Sequence, residues 1–342
     1  MRCLAALAFA TSLAAMDLHL SGYGPDIHAA TFAEGILTLG AASPAGPNPS
    51  FVARHPTLPR LYAVSESGDG KVRAFRIADD GALTRSGEQT SGGRGPCHVS
   101  VSPDGRWVLA ANYGSGHVVV LPLDDDGELG APSDVQQPGV NAHMAITDPS
   151  GANAYVPCKG SDWIAQFALS EGRLVPLDPP TVATKAGAGP RHLVFADDGK
   201  RAYGINELDQ TITAYTRDGD GRLTAVASVP TLPEGFTGRN TTAHIALSVD
   251  GRFCYGSNRG HDSIVRYRVA ADGSLADPAW TETTDGLKTP RHFALSPDGA
   301  FLLAAAQGGN EVLVYAIDGE GLLRLAARTP VPGKPCCVVF AP

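Results

Sequence analysis

The 342-residue chain has no run of lysine or arginine, and Asp plus Glu outnumber Lys plus Arg, 35 to 27, for a net charge of −8. Nucleic acid and anionic membranes are held by clustered cations, so neither is an expected partner. A small anionic molecule stays open, because a few local Arg and Lys side chains can oppose the global sign. Cysteine is scarce. Cys3, Cys97, Cys158, Cys254, Cys336 and Cys337 include no C-x-x-C pair. That spacing suggests neither a zinc site nor a disulfide framework. Buried free thiols in a reducing compartment are the expectation, and the chain is assigned to the cytoplasm. No stretch reaches the ~18 apolar residues of a membrane-spanning helix. Charged residues are only 18%, but 43% are hydrophobic, which excludes disorder and supplies a large core.

Residues 1–15, MRCLAALAFATSLAA, carry one Arg and then an apolar run. They read either as a short signal peptide ending near Ala14, which would export the protein to the periplasm, or as a start assigned upstream of Met16. Residues 16–342 are expected to form one domain.

Glycine (40) and proline (26) are abundant without a collagen period, which suits many short strands joined by tight turns. They punctuate a repeat. Segments beginning at Pro49, Pro96, Ala142, Pro190, Ala243 and Pro290 align, and a seventh start, PCCVVFAP, opens at Pro335; the intervals are 47, 46, 48, 53, 47 and 45 residues. Each segment holds a short strand, a turn such as Ser102-Pro103-Asp104-Gly105, and a second strand such as Trp107–Ala111. A third strand and a further Asp-Gly turn follow. A strand repeat of this length is a propeller signature. Residues 17–40 hold outer strands without a first strand, and residues 335–342 hold a first strand with nothing after it. The expectation is all-β: a seven-bladed β-propeller of four-stranded antiparallel blades, closed by pairing its N- and C-terminal strands so that no sheet edge stays open.

Function is sought where the repeats share a position and differ in chemistry. Eight residues before the hairpin glycines Gly105, Gly151, Gly199, Gly251 and Gly299 lie Cys97, His143, Arg191, Ala243 and Arg291. Eight residues after them lie Tyr113, Lys159, Glu207, Arg259 and Gln307. The first two strands are antiparallel, so both sets fall at the end opposite the hairpin, around one mouth of the central channel. His143, Lys159, Arg191, Glu207, Arg259 and Arg291 are thereby gathered round one cavity. Arg191 and Arg259 would also serve simply as ion-pair partners of Glu207. His98, His192, His244 and His292 recur one position further on, which favours blade packing over metal ligation. No carboxylate and Asn quartet converges, so neither a metal nor a cofactor is implied.

Several stretches resemble the lactonase family of seven-bladed propellers: NPSFVARHP, GPCHVSVSPDGRWVLAANYGSGHVVVLPL, GPRHLVF with INELDQTI, TLPEGFTGRNTTA and SNRGHDSIVRYRV. The resemblance runs over nearly all of residues 17–342. The family includes bacterial 6-phosphogluconolactonases and fungal 3-carboxy-cis,cis-muconate cyclases. It implies hydrolysis of a sugar lactone, first of all 6-phospho-D-glucono-1,5-lactone in carbohydrate metabolism. A lactone-closing cyclase or a non-enzymatic binding propeller is the alternative, although the Gly-His…Trp-Asp signature of interaction propellers is missing. By resemblance the active-site residues fall on His143, Arg191, Glu207 and Arg259. Glu207 is expected as general base, Arg191 and Arg259 as holders of anions and the oxyanion, and His143 as acid or oxyanion donor. Lys159, Arg291, His98 and His192 are expected to contact a small anionic lactone. A monomer is expected.

Overall fold

The structure, a computed structural model, describes residues 15–342; the reading of residues 1–15 falls outside them but for Ala15. Seven four-stranded antiparallel sheets follow one another along the chain. The second runs Pro96–Val101, Trp107–Asn112, His117–Pro122 and Asp134–Gln136 from the channel outward. The seventh is assembled from both ends of the chain, in the order Pro335–Phe340, Met16–Gly22, Asp26–Ala33 and Ile36–Pro44. Leu18 pairs with Phe340 and Leu20 with Val338, and Ala341 N donates to Asp17 O at 2.7 Å. The propeller is closed as its repeats imply. A single turn of 3-10 helix, Thr283–Asp285, is the one helical element among the described residues, and no helix is long and apolar enough to cross a membrane.

The core is a set of interfaces between neighbouring blades. Leu18, Leu20 and Phe32 of blade 7, for example, pack on Leu303, Val312 and Val314 of blade 6. A buried hydroxyl fixes many of these interfaces. Tyr62, Tyr155, Tyr203 and Tyr255 each stand four residues before the end-of-strand position, and each donates to a turn carbonyl of the next blade. The acceptors are Gly127, Gly221, Gly273 and Gly321, at 2.6–2.9 Å. Those glycines have φ between 73° and 90°, a conformation that penalises a side chain, which explains the recurring Asp-Gly. At the seam between blades 7 and 1 the same place is taken by His19, whose Nε2 lies 2.9 Å from Gly81 O.

The entry to each inner strand positions the functional layer. In blade 4 Pro190 pairs with Asn206 and His192 with Ile205, so Arg191 has no partner across the ladder. The same bulge isolates Cys97, Arg291 and Cys336, and in blade 5 Ala243 and His244 together oppose Ser257. A bulge inserts one residue and re-aims its side chain. Here it sends the bulged residue toward the mouth and the following residue deeper into the channel.

Candidate active site

Two layers of side chains close the channel at this end. The outer layer surrounds a cavity of about 200 Å³, lined by Glu66, Cys97, Tyr113, His143, Lys159, Glu207, Arg259 and Arg291. It falls below the roughly 300–1,000 Å³ typical of pockets for drug-sized ligands, so it suits a single small ring. Larger cavities lie between blades, away from this group of charged side chains, and a further one on the rim adjoins it through Tyr23 and Asn48.

Glu207 is the centre of the outer layer. Lys159 Nζ donates to its Oε1 at 2.8 Å, Arg259 Nη2 lies 3.3 Å from the same oxygen, and Arg191 Nε lies 3.1 Å from Oε2. Neither arginine nitrogen is aligned well enough with the carboxylate to hydrogen-bond it, so these two contacts are electrostatic, and Nε of both arginines is a buried donor without a partner. Burial works against the charge on Glu207, but Arg191, Arg259 and Lys159 outweigh it and hold the carboxyl below the usual range. Lys159 Nζ also lies 3.3 Å from the Tyr113 hydroxyl.

Each arginine is anchored to backbone as well. Arg259 Nη2 donates to Thr242 O at 2.6 Å, and Arg191 Nη1 to Ala243 O at 2.5 Å. Arg191 is only 2% exposed. Burial, with Arg259 and Arg291 nearby, brings its guanidinium down to about 9. Arg291 makes no ion pair among the described residues; its guanidinium sits 5.5 Å from the ring centroid of Tyr23. Tyr23 in turn donates its hydroxyl to Glu66 Oε2 at 3.0 Å. His143 is held well below its ordinary value by burial, reinforced by Arg191 and Arg291, so its imidazole is neutral. Cys97 Sγ lies 3.7 Å from His143 Nδ1, and burial pushes the thiol up to about 12, which favours the neutral thiol over a thiolate.

The six charged and histidine residues expected at the mouth therefore do converge, with Arg191 just behind the cavity wall. His98 and His192 do not line the cavity, contrary to the expectation that they touch substrate. Each is 2% exposed and belongs to the inner layer, because the bulge turns the residue after it away from the mouth. That layer is a plug of Phe51, His98, His192, His244 and His292. His244 stacks on His292 at 3.9 Å between centroids, and Phe51 lies 4.3 Å from His98.

Arginine can only donate, and this fixes the proton positions in the plug. Arg191 Nη1 lies 3.1 Å from His192 Nε2, so Nε2 is the acceptor and the proton of neutral His192 is on Nδ1. Nδ1 is 2.9 Å from His244 Nδ1, which then accepts, leaving the His244 proton on Nε2. The neutral plug thereby supplies an acceptor to a buried cation. Among the described residues no group of His, Cys, Asp or Glu is arranged to hold a metal ion.

Glu66 and Tyr23 escape the count from hairpin glycines. The first turn of blade 1, His55-Pro56-Thr57-Leu58-Pro59-Arg60, has no glycine, and blade 7 is split. The second strands carried the signal: Tyr62-Ala63-Val64-Ser65-Glu66 aligns with Leu109-Ala110-Ala111-Asn112-Tyr113, and His19-Leu20-Ser21-Gly22-Tyr23 with both.

Known proteins share this architecture. A 6-phosphogluconolactonase of Erwinia tasmaniensis is 34% identical over 244 residues, 70% of this chain and 72% of that protein. Another, of Serratia proteamaculans, is 35% identical over 227 residues, 65% and 67% of the two chains. The periplasmic gluconolactonase of Pseudomonas aeruginosa superposes with a TM-score of 0.87 at 29% identity, covering 96% of this chain and 99% of that one. The description of the seven-bladed β-propeller lactonases fits residues 17–340, and with the closed ring and its charged mouth already in view, the chain belongs to that lactonase family.

Proposed function

We propose that the protein hydrolyses an anionic sugar lactone, 6-phospho-D-glucono-1,5-lactone in the first place, to the open-chain acid. One observation carries this reading. In a protein of net charge −8, the cations Lys159, Arg191, Arg259 and Arg291 surround a single small cavity against two carboxylates, Glu66 and Glu207, a local balance of +2. A cavity of that sign selects an anionic ligand, and guanidinium groups suit phosphate or carboxylate oxygens. Relatives bearing the name 6-phosphogluconolactonase support the same substrate class.

Lactone opening needs a polarised carbonyl, an activated water and a proton for the departing ring oxygen. Lys159 and Arg259 are the donors for the carbonyl oxygen, where negative charge develops, and Arg259 Nε is a donor not yet engaged. Neutral His143 offers a further hydrogen bond. Arg291, free of any carboxylate partner, is placed for the anionic substituent. Glu207 orients the cations: with charge contacts to both of its oxygens and its carboxyl held low, it is a weak proton acceptor. We place the protein in the cytoplasm on the strength of five buried, unpaired thiols.

The test is turnover of freshly prepared phosphogluconolactone and glucono-1,5-lactone by base uptake, with 3-carboxymuconate run in parallel. The expected result is hydrolysis of both lactones, with a higher kcat/KM for the phosphorylated one. No rate above spontaneous opening, or consumption of carboxymuconate instead, would overturn the reading.

A further inference from the structure

The cavity has a second carboxylate in a different state from the first. Glu66 stands at the end of the second strand of blade 1, three blades round the ring from Glu207, and lines the same space. Its one side-chain partner among the described residues is the Tyr23 hydroxyl at 3.0 Å on Oε2; no lysine or arginine pairs with it. Its backbone is held firmly. Glu66 N donates to Asn48 O at 3.0 Å, Asn48 Nδ2 returns a bond to Glu66 O at 3.1 Å, and the preceding Ser65 is fully buried with its hydroxyl on Pro47 O. The carboxylate is thus fixed in place with Oε1 unengaged.

We propose that Glu66 is the general base of the lactonase reaction and that Tyr23 is its positioning residue. This rests on the lactonase reading above. The two walls divide the work. Cations gathered by Glu207 take the carbonyl oxygen on one side of the cavity, and Glu66 faces the carbonyl carbon from the other. Glu66 removes a proton from a water molecule while the water oxygen bonds to the carbonyl carbon. The carbonyl π electrons move onto its oxygen, which becomes the oxyanion beside Lys159 and Arg259. When the oxyanion collapses, the bond from that carbon to the ring oxygen breaks, and Glu66 returns its proton to the departing oxygen. One water has been added, Glu66 is again ionised, and the new carboxylic acid releases its proton to solvent, which base uptake records. Glu66 leaves Oε1 open to a water molecule, whereas both oxygens of Glu207 are already taken by cations.

The experiment compares wild type, Glu66→Gln, Glu207→Gln and Tyr23→Phe on phosphogluconolactone and gluconolactone across pH. Glu66→Gln keeps the shape and can still accept from Tyr23. It is expected to lower kcat by about 10²–10⁴-fold with little change in KM, and to abolish the acid limb of the kcat/KM profile. Glu207→Gln is expected to raise KM and lower kcat while keeping that limb. Tyr23→Phe removes a hydrogen bond that favours the ionised carboxylate, so the acid limb should move to higher pH. Formate should restore part of the rate to Glu66→Ala. If wild type turns over lactone and Glu66→Gln stays within threefold of it with the acid limb intact, the assignment is overturned. If wild type itself opens no lactone, it is the lactonase reading that has failed. Should Glu66→Gln not fold, an unmoved acid limb in Tyr23→Phe overturns the assignment on its own.

Discussion

Arg191 and His192 are neighbours in the chain and belong to different layers of the channel. Arg191 joins a rim of charged, mutually different side chains; His192 joins a plug in which the same residue type recurs from blade to blade. The bulge at Arg191 separates them, since two residues there pass against one of the partner strand. The rim draws side chains from every blade, two each from blades 2, 3 and 4, and mixes acids, bases, histidine, tyrosine and cysteine. The plug is neutral: burial drives His98 and His292 down to about 3, and holds His192 and His244 well below the ordinary histidine value. Diversity marks the layer that lines the cavity, and repetition marks the layer that supports it. The two are joined at one bond, from Arg191 to His192.

The largest effect is expected from breaking the rim at its centre. Glu207→Ala leaves Lys159, Arg191 and Arg259 without their shared anion, and the side chain of Arg191 is only 3% exposed. Removing one partner of a buried ion pair costs about 3–5 kcal/mol. We expect Glu207→Ala to unfold several degrees below wild type in a thermal melt and to lose lactone turnover. Glu207→Gln, which still accepts the Lys159 hydrogen bond, should recover much of the stability. A melt unchanged in Glu207→Ala would mean that the rim cations do not depend on this carboxylate.

A smaller effect is expected at the bond between the layers. In His192→Leu the buried guanidinium of Arg191 loses an acceptor and keeps Ala243 O. A hydrogen bond to a charged group is worth roughly 1.5–3 kcal/mol, so kcat is expected to fall on the order of ten- to a hundredfold, with KM for gluconolactone little changed. His192→Gln supplies an amide oxygen to Arg191 and an amide N–H to His244, reproducing the tautomer that the geometry requires, and should restore most of the rate. Equal activity of the Leu and Gln variants would show that the plug merely fills space.

The sequence made one layer far more legible than the other. Asp-Gly turns recur because a left-handed glycine suits a tight turn, and at four of the outer turns that glycine's carbonyl also receives a tyrosine hydroxyl from the blade before; the repeated segments exposed all seven blades and their closure through Pro335–Phe340. The residues after each hairpin, Lys159, Glu207 and Arg259 among them, could be placed at the mouth from strand direction alone. His98 and His192 could not be separated from Cys97 and Arg191, because a bulge is a property of how two strands pair and leaves no residue signature of its own here: Pro precedes it in four blades but not in blade 5. Glu66 stayed hidden for a different reason. The count began at a hairpin glycine that blade 1 lacks, although the strand leading to Glu66 aligns position by position with its counterparts.

An effect that emerges only on acidification tests whether the plug is neutral. A histidine whose folded value lies below its unfolded one binds a proton more readily in the unfolded chain. Between those two values the unfolded state therefore carries the extra proton, and stability rises with pH. For His292 the window runs from about 3 in the folded protein, where burial and then Arg191 hold it, to the ordinary 6.5. Across it the residue should contribute a slope of about 1.4 kcal/mol per pH unit. His98, with the same bounds, should contribute equally. Phe51 already occupies the equivalent place in blade 1, so His292→Phe puts into the plug a ring that the plug accepts elsewhere. The variant loses the hydrogen bond from Val338 N, 3.3 Å from Nδ1 in wild type, and should be somewhat less stable at neutral pH. Its stability should nevertheless fall less steeply on acidification, by one proton's worth of slope, so that the two curves converge toward pH 4. Urea titrations at half-unit steps from pH 4 to 7 measure this directly. Parallel curves would mean that His292 takes up its proton at the same pH folded and unfolded, and the picture of a neutral layer beneath a charged one would fail at that residue.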